Sequence, residues 1–124
     1  MSLNGLLLTA LAAGLTAVAN LMLRAGVTNA GGFLPFRSGL PKQILALSTD
    51  PVFVAGVFFY GLAALVWFAV ISIEDLSTSY PVLVGLTFIL VGIGSVVFFS
   101  ESMPLQKLIG IAVILTGILV VARA

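Results

Sequence analysis

The sequence of 124 residues contains no cysteine and no histidine, and only 7% of its residues are charged. Without cysteine the chain forms no disulfide and offers no thiolate to a metal ion. Without histidine it lacks the commonest metal ligand and the commonest general base. A soluble domain carries roughly 25% charged residues, so this chain could not cover its surface in water. The composition therefore assigns it to a membrane.

Two further absences narrow the function classes. The net charge is only +1 and no basic run occurs, which argues against a nucleic-acid partner. The apolar segments contain no paired carboxylates and the chain has no phosphate-binding loop, so we expect neither an enzyme nor a cofactor or metal site. No Lys or Arg precedes the first apolar run, which argues against a cleaved signal peptide.

Long apolar runs account for most of the chain, since 61% of its residues are hydrophobic. A membrane-spanning helix needs about 20 mostly apolar residues. Four segments qualify, namely residues 3–23, 52–73, 76–100 and 105–121. Every charged residue falls at or beyond a segment end, as expected if a charge at mid-bilayer costs at least ~2.5–3.5 kcal/mol. The sequence predicts an all-α integral membrane protein, with four spans forming one domain over residues 1–124.

Residues 27–50 form the one long connection, and the other two connections are short. Within it, Ile44, Leu45 and Leu47 follow Lys42, a spacing that predicts a short amphipathic helix in the membrane interface.

The positive charges predict an orientation. Arg24, Arg37, Lys42 and Lys107 follow the first and third spans, whereas Arg123 alone follows the fourth. Because cytoplasmic connections carry the excess of Lys and Arg, we expect both of these connections in the cytoplasm and both termini outside. The acids Glu74, Asp75 and Glu101 are interpreted as solvated charges at the membrane surface.

A polar stripe runs along the first span. Thr9, Thr16 and Asn20 are spaced by seven and four residues and therefore share one helical face. Such a stripe either hydrogen-bonds a neighbouring helix or lines a wet path, and the sequence leaves both roles open.

The second and third spans carry aromatic and small residues. Tyr60 and Trp67 form an aromatic face that suits either lipid packing or a pocket wall. Tyr80 is either an interfacial anchor or a substrate contact. Pro81 lies either in a first helical turn or at a kink, and Gly85 allows close approach or bending. No carboxylate lies inside a span, which argues against a proton-coupled mechanism.

The second half of the chain resembles a known superfamily. The resemblance lies in residues 79–82 (Ser-Tyr-Pro-Val), 98–102 (Phe-Phe-Ser-Glu-Ser), 108–110 (Leu-Ile-Gly) and 117–120 (Gly-Ile-Leu-Val). These strings resemble the drug/metabolite transporter (EamA-like) superfamily, and the size is that of its four-helix small multidrug resistance branch. The long first connection and Asp50-Pro51 look most like the flippase subunits for aminoarabinose-phosphoundecaprenol.

The resemblance implies roles for particular residues. Tyr80 matches a substrate-facing tyrosine, and Gly85 matches the first of two hinge glycines, the second being Thr87 here. Gly110 and Gly117, seven residues apart on the fourth span, match the small residues of a dimer contact. The membrane-embedded glutamate of the small multidrug resistance proteins falls near Thr16, so the resemblance does not extend to proton/drug antiport.

The leading hypothesis is a flippase, or a flippase subunit, for a polyprenyl-phosphate-linked sugar in the inner membrane. Thr16, Asn20, Trp67 and Tyr80 supply the hydroxyl, amide and aromatic groups that a sugar needs. Arg24 would hold the phosphate, unless it is a snorkelling anchor at the helix end. The alternatives are an exporter of a small polar metabolite or drug and, more distantly, a non-transporting assembly subunit. Four spans are few for a transport path, so we expect a homodimer or a heterodimer with a related four-helix chain.

Overall fold

The computed structural model describes residues 1–34 and 39–123, and within these ranges every regular element is an α-helix. The helices are α1 (Leu3–Asn29), α2 (Leu40–Thr49), α3 (Pro51–Ile73), α4 (Leu76–Phe99) and α5 (Leu105–Arg123). Of these, α1, α3, α4 and α5 are long and apolar enough to cross a membrane. The prediction of an all-α protein with four spans is confirmed, and the chain is a multi-pass membrane protein. Arg37, predicted to lie in the first connection, falls outside the described residues.

The first helix is longer than its apolar run. The sequence predicts an end at residue 23, whereas α1 continues to Asn29 and includes Arg24. Its 27 residues measure about 40 Å at 1.5 Å per residue, more than the ~30 Å of a hydrocarbon core. Its end is set by Gly31 and Gly32, whose positive φ angles of 89° and 93° break the helix. Apolarity marks the part inside lipid, while the glycines mark where the helix stops.

The short helix predicted in the long connection is α2. It begins after Gly39, whose φ of 90° suits only glycine, and its buried residue is Leu47. Asp50 then ends α2 and begins α3, because its carboxylate accepts the Phe53 N–H at 2.9 Å. Pro51 follows as the first residue of α3, where a missing N–H does no harm.

The spanning helices lie in the order α3, α1, α4, α5, with α1 between α3 and α4. Four alanines of α1 are at most 4% exposed: Ala12, Ala13, Ala17 and Ala19. Such small side chains let neighbouring backbones approach closely, which is how helices pack in lipid. By contrast, α3 and α4 touch each other little, and α5 packs on α4 with no buried residue of its own.

A close backbone contact lies where α1 crosses the start of α3. A Cβ added to Gly26 would lie 2.7 Å from the Cα of Phe53. Gly56 faces α1 in the same way, and its added Cβ would lie 3.0 Å from the backbone nitrogen of Leu23. The neighbour of Gly26 is therefore the Phe53 backbone, which cannot move aside as a flexible side chain can.

At the other end of α1, a polar clasp joins its first turn to the α3–α4 connection. The Ser2 hydroxyl and the Ser2 N–H both donate to the Glu74 carboxylate, and the same hydroxyl accepts the Gly5 N–H at 3.0 Å. The hydroxyl bond, followed by the backbone bond, lowers the pKa of Glu74 below its ordinary value. Three helices close together at this end, where Thr9, Val70 and Ser79 are fully buried.

The α1–α3 contact leads to a stability prediction. Gly26→Ala should lower the free energy of unfolding by about 1–3 kcal/mol, because the new methyl group overlaps the Phe53 backbone. Gly14→Ala is the matched control in the same helix, since nothing lies within 4 Å of its added Cβ. Thermal unfolding in detergent should show a lower melting temperature for Gly26→Ala alone. Equal melting temperatures for the two variants would contradict this contact.

Candidate functional site

A cavity of about 680 Å³ lies between α1, α3, α4 and the start of α5, and is partly open. Its lining includes Thr16 and Asn20 from α1, Tyr60 from α3, a face of α4 from Tyr80 to Val96, Glu101 to Met103 from the last connection, and Lys107 and Ile111 from α5. Small-molecule sites commonly measure roughly 300–1,000 Å³, so the cavity is large enough for a ligand.

The polar stripe of α1 divides between two environments. Thr9 is fully buried and its hydroxyl donates to Gly5 O at 2.7 Å, so this residue has a packing role. Thr16 and Asn20 line the cavity instead, and each donates to a carbonyl of its own helix. These local bonds leave the Asn20 amide oxygen and the Thr16 lone pairs as acceptors for a ligand. Of the two roles that the sequence left open, cavity lining occurs at Thr16 and Asn20, whereas the hydrogen bonds of the stripe stay within α1 and reach no neighbouring helix that the structure describes.

The aromatic residues form the wall between two cavities. Tyr60 and Tyr80 line the cavity described above. The ring of Trp67 lies edge-on to Tyr80, with centroids 6.0 Å apart and planes at 62°, and it lines a separate apolar groove beside Leu76. Of the residues predicted to bind a sugar, the structure brings Thr16, Asn20 and Tyr80 to one cavity. Trp67 stands behind Tyr80 and does not line that cavity.

Thr87 lies in the α4 face that lines the cavity of about 680 Å³. Its Oγ1 is buried and has no hydrogen-bond partner among the described residues, whereas the Thr16 hydroxyl bonds its own helix. An unpaired buried hydroxyl costs about 1–3 kcal/mol, so such a group is a candidate for a ligand contact. From the sequence, Thr87 was identified only as the replacement of a hinge glycine, because the absence of a hydrogen-bond partner cannot be read from sequence.

Charged groups gather at the end of the cavity formed by the α4–α5 connection. Glu101 and Lys107 line it, and Arg24 Nη1 lies 3.7 Å from the Glu101 carboxylate. The Arg24 guanidinium also sits 5.8 Å from the centroid of the Phe99 ring. Glu101, interpreted from the sequence as a solvated surface charge, has a side chain that is 39% exposed and that also lines this cavity.

The predicted hinge and dimer residues occupy different settings. Pro81 is the sixth residue of α4, beyond the first turn, so it removes the N–H that would bond the Ser77 carbonyl. Gly85 is buried beneath Ile118 of α5, 3.1 Å from its added Cβ, which is a packing contact. Gly110 and Gly117 lie on an open side of α5 with nothing within 4 Å, so they pack on no described part of their own chain.

Two proteins of known sequence are similar to this chain. The uncharacterised protein y4nH of Sinorhizobium fredii is 37% identical over 113 residues, which cover 90% of each chain. ArnE of Pseudomonas savastanoi pv. phaseolicola is described as a probable 4-amino-4-deoxy-L-arabinose-phosphoundecaprenol flippase subunit. It is 33% identical over 88 residues, covering 71% of this chain and 75% of ArnE. The chain belongs to the ArnE family.

Membership of the ArnE family agrees with the fold, because four apolar spanning helices fit a small membrane transporter. No family profile matches the chain, and no solved structure matches it.

The unpaired hydroxyl of Thr87 gives a prediction that separates ligand binding from folding. Thr87→Val keeps the shape and removes the hydroxyl, so the melting temperature in detergent should stay the same or rise. Thr116→Val is the control, because the Thr116 hydroxyl is exposed and already bonds Ala112 O at 2.8 Å. Ligand binding should fall in Thr87→Val alone. A larger loss of melting temperature in Thr87→Val than in the control would show that the hydroxyl has a structural partner.

Proposed function

We propose that the chain is a flippase, or a flippase subunit, for a polyprenyl-phosphate-linked sugar. The polar headgroup would cross within the cavity while the isoprenoid chain stays in lipid. One observation carries the proposal: Thr16, Asn20, Tyr80 and Thr87 line a ligand-sized cavity inside a bundle whose spans are mostly apolar. The kinship to ArnE, whose described function is of this kind, supports it.

The inner wall of the cavity, formed by Thr16, Asn20, Tyr60, Tyr80 and Thr87, carries groups that can bind a sugar. A sugar offers hydroxyls that need donors and acceptors in return, and the amide of Asn20 with the hydroxyls of Thr16 and Thr87 can supply both. Two tyrosines add flat faces for the ring. The described residues of this inner wall carry no acid or base, as suits a headgroup that is bound and released without proton exchange.

The chemistry of the charged end suits a phosphate. Arg24 and Lys107 are the cations at this end, and a guanidinium can bind a phosphate through two parallel hydrogen bonds. The connections that carry Arg24, Lys42 and Lys107 are those that the positive-inside rule assigns to the cytoplasm. In this orientation the cavity opens toward the cytoplasmic leaflet of the inner membrane. The opposite end is closed by the buried Thr9, Val70 and Ser79.

A partner chain completes this proposal. Because α3 and α4 touch little, the cavity is only partly enclosed by one chain. The open glycines of α5, Gly110 and Gly117, form a smooth surface that another helix could approach closely. We infer a second copy or a related four-helix chain on this surface.

A second candidate function is export of a small polar metabolite or drug. The observation in its favour is that Glu101 and Lys107 place charges of both signs at the mouth, as a soluble zwitterion would need. Competition between undecaprenyl phosphate and soluble solutes for the cavity distinguishes the two functions, since only the flippase binds the lipid.

The test is translocation of a labelled polyprenyl-phosphate-linked sugar across liposome membranes. The protein is purified together with any partner chain that stays bound to it, and is then reconstituted into the liposomes. Arg24→Ala should lower the rate at least about tenfold, because an arginine–phosphate contact is charge-assisted. Tyr80→Phe should lower it less. Arg123→Ala is the control, an arginine at the end of α5 that is not paired with Glu101. Unchanged rates in both Arg24→Ala and Tyr80→Phe would rule out these assignments.

A further inference from the structure

The guanidinium that a phosphate would need is already paired in the structure. Arg24 Nη1 lies 3.7 Å from Glu101 Oε2, and Glu101 itself lines the cavity. We propose that Glu101 is a tethered competitor for Arg24 and thereby weakens the binding of an anionic group at this end of the cavity. This inference rests on the proposed function, in which Arg24 receives the anionic part of the headgroup.

The backbone places Glu101 for this contact. Ser100, directly after α4, has a φ of 53°, a left-handed conformation that is costly for a residue other than glycine. The chain reverses there, and the Glu101 N–H donates back to Ser95 O at 3.3 Å. The turn thereby places the Glu101 side chain against α1. An extended continuation of α4 would carry it away from Arg24.

Close packing of α1 against α4 also brings Arg24 near Glu101. Leu21, one helical turn before Arg24, lies directly on Gly94, where an added Cβ would overlap its Cδ1 atom. The two helices therefore approach through a glycine close to the charged pair. Phe99 adds a ring beneath the guanidinium at 5.8 Å, which holds the Arg24 side chain near Glu101.

The weakness of the pair explains why a ligand can displace it. The Arg24 and Glu101 side chains are 61% and 39% exposed, and a single exposed contact of this kind is weak. A phosphate can form two parallel charge-assisted bonds to a guanidinium and so displace the carboxylate. Glu101 thus weakens the binding of an anionic ligand to Arg24 without preventing it.

Binding of undecaprenyl phosphate in detergent tests the inference. The binding is measured by the fluorescence of Trp67, the single tryptophan of the chain, whose ring contacts Tyr80. Glu101→Gln should tighten binding about two- to fivefold, the range expected from removing an exposed ion pair. In an Arg24→Ala background the same substitution should change nothing, because the competition acts through Arg24. Glu74→Gln is the control, a carboxylate at the opposite end of the helices bonded to Ser2.

Unchanged or weaker binding in Glu101→Gln would overturn the inference, and weaker binding would show that Glu101 holds the ligand. If undecaprenyl phosphate binds no variant, the proposed function fails instead. Binding of inorganic phosphate, measured by the NMR signal of the Arg24 guanidinium, then tests the competition alone. Tighter phosphate binding in Glu101→Gln than in the unsubstituted protein would sustain the inference, and equal binding would overturn it.

Discussion

Close packing of small residues on α1 is the constraint on which the rest of this structure depends. In a bilayer the hydrophobic effect does not draw helices together, because lipid tails are as apolar as leucine side chains. Contact must come from van der Waals packing at short range, and α1 supplies it with four buried alanines and with Gly26 against the Phe53 backbone. The central place of α1 between α3 and α4 follows from this packing.

The cavity is a consequence of the same arrangement. Helices α3 and α4 both pack on α1 but touch each other little, so part of α1 is left uncovered where the bundle opens. At the closed end the polar stripe of α1 carries Thr9, which is buried, and further along it carries Thr16 and Asn20 at the cavity. Where α4 ends, the left-handed turn at Ser100 places Glu101 beside Arg24. Polar groups thus occur where helix packing leaves space for a ligand.

Much of the fold could be predicted because lipid places a simple demand on sequence. Each span needs an uninterrupted apolar run, and charges mark the ends of the runs. The length of α1 could not be predicted in this way, because the helix continues to Asn29, just before Gly31 and Gly32, and does not stop at the edge of its apolar run. Sequence periodicity alone could not separate Thr9 from Thr16, since both share a face and differ only in their position along the bundle.

The candidate site was predictable in part for a related reason. Thr16, Asn20 and Tyr80 are unusual in an apolar helix and therefore visible in sequence. The pairing of Arg24 with Glu101 depends on residues 77 positions apart, which only the packing of α1 against α4 brings together. Thr87 became a candidate only when its hydroxyl was found without a partner in the part of the chain that the structure describes.

The most direct test of the account is the water accessibility of single cysteines along α1, since the natural chain contains none. Thr16→Cys and Asn20→Cys should react with a membrane-impermeant thiol reagent, because both positions line the cavity. Ala13→Cys, buried between helices, and Val18→Cys, 44% exposed on the outer face of the bundle, should stay unreacted. Equal labelling at all four positions, or labelling at Val18 alone, would contradict a polar cavity on this face of α1.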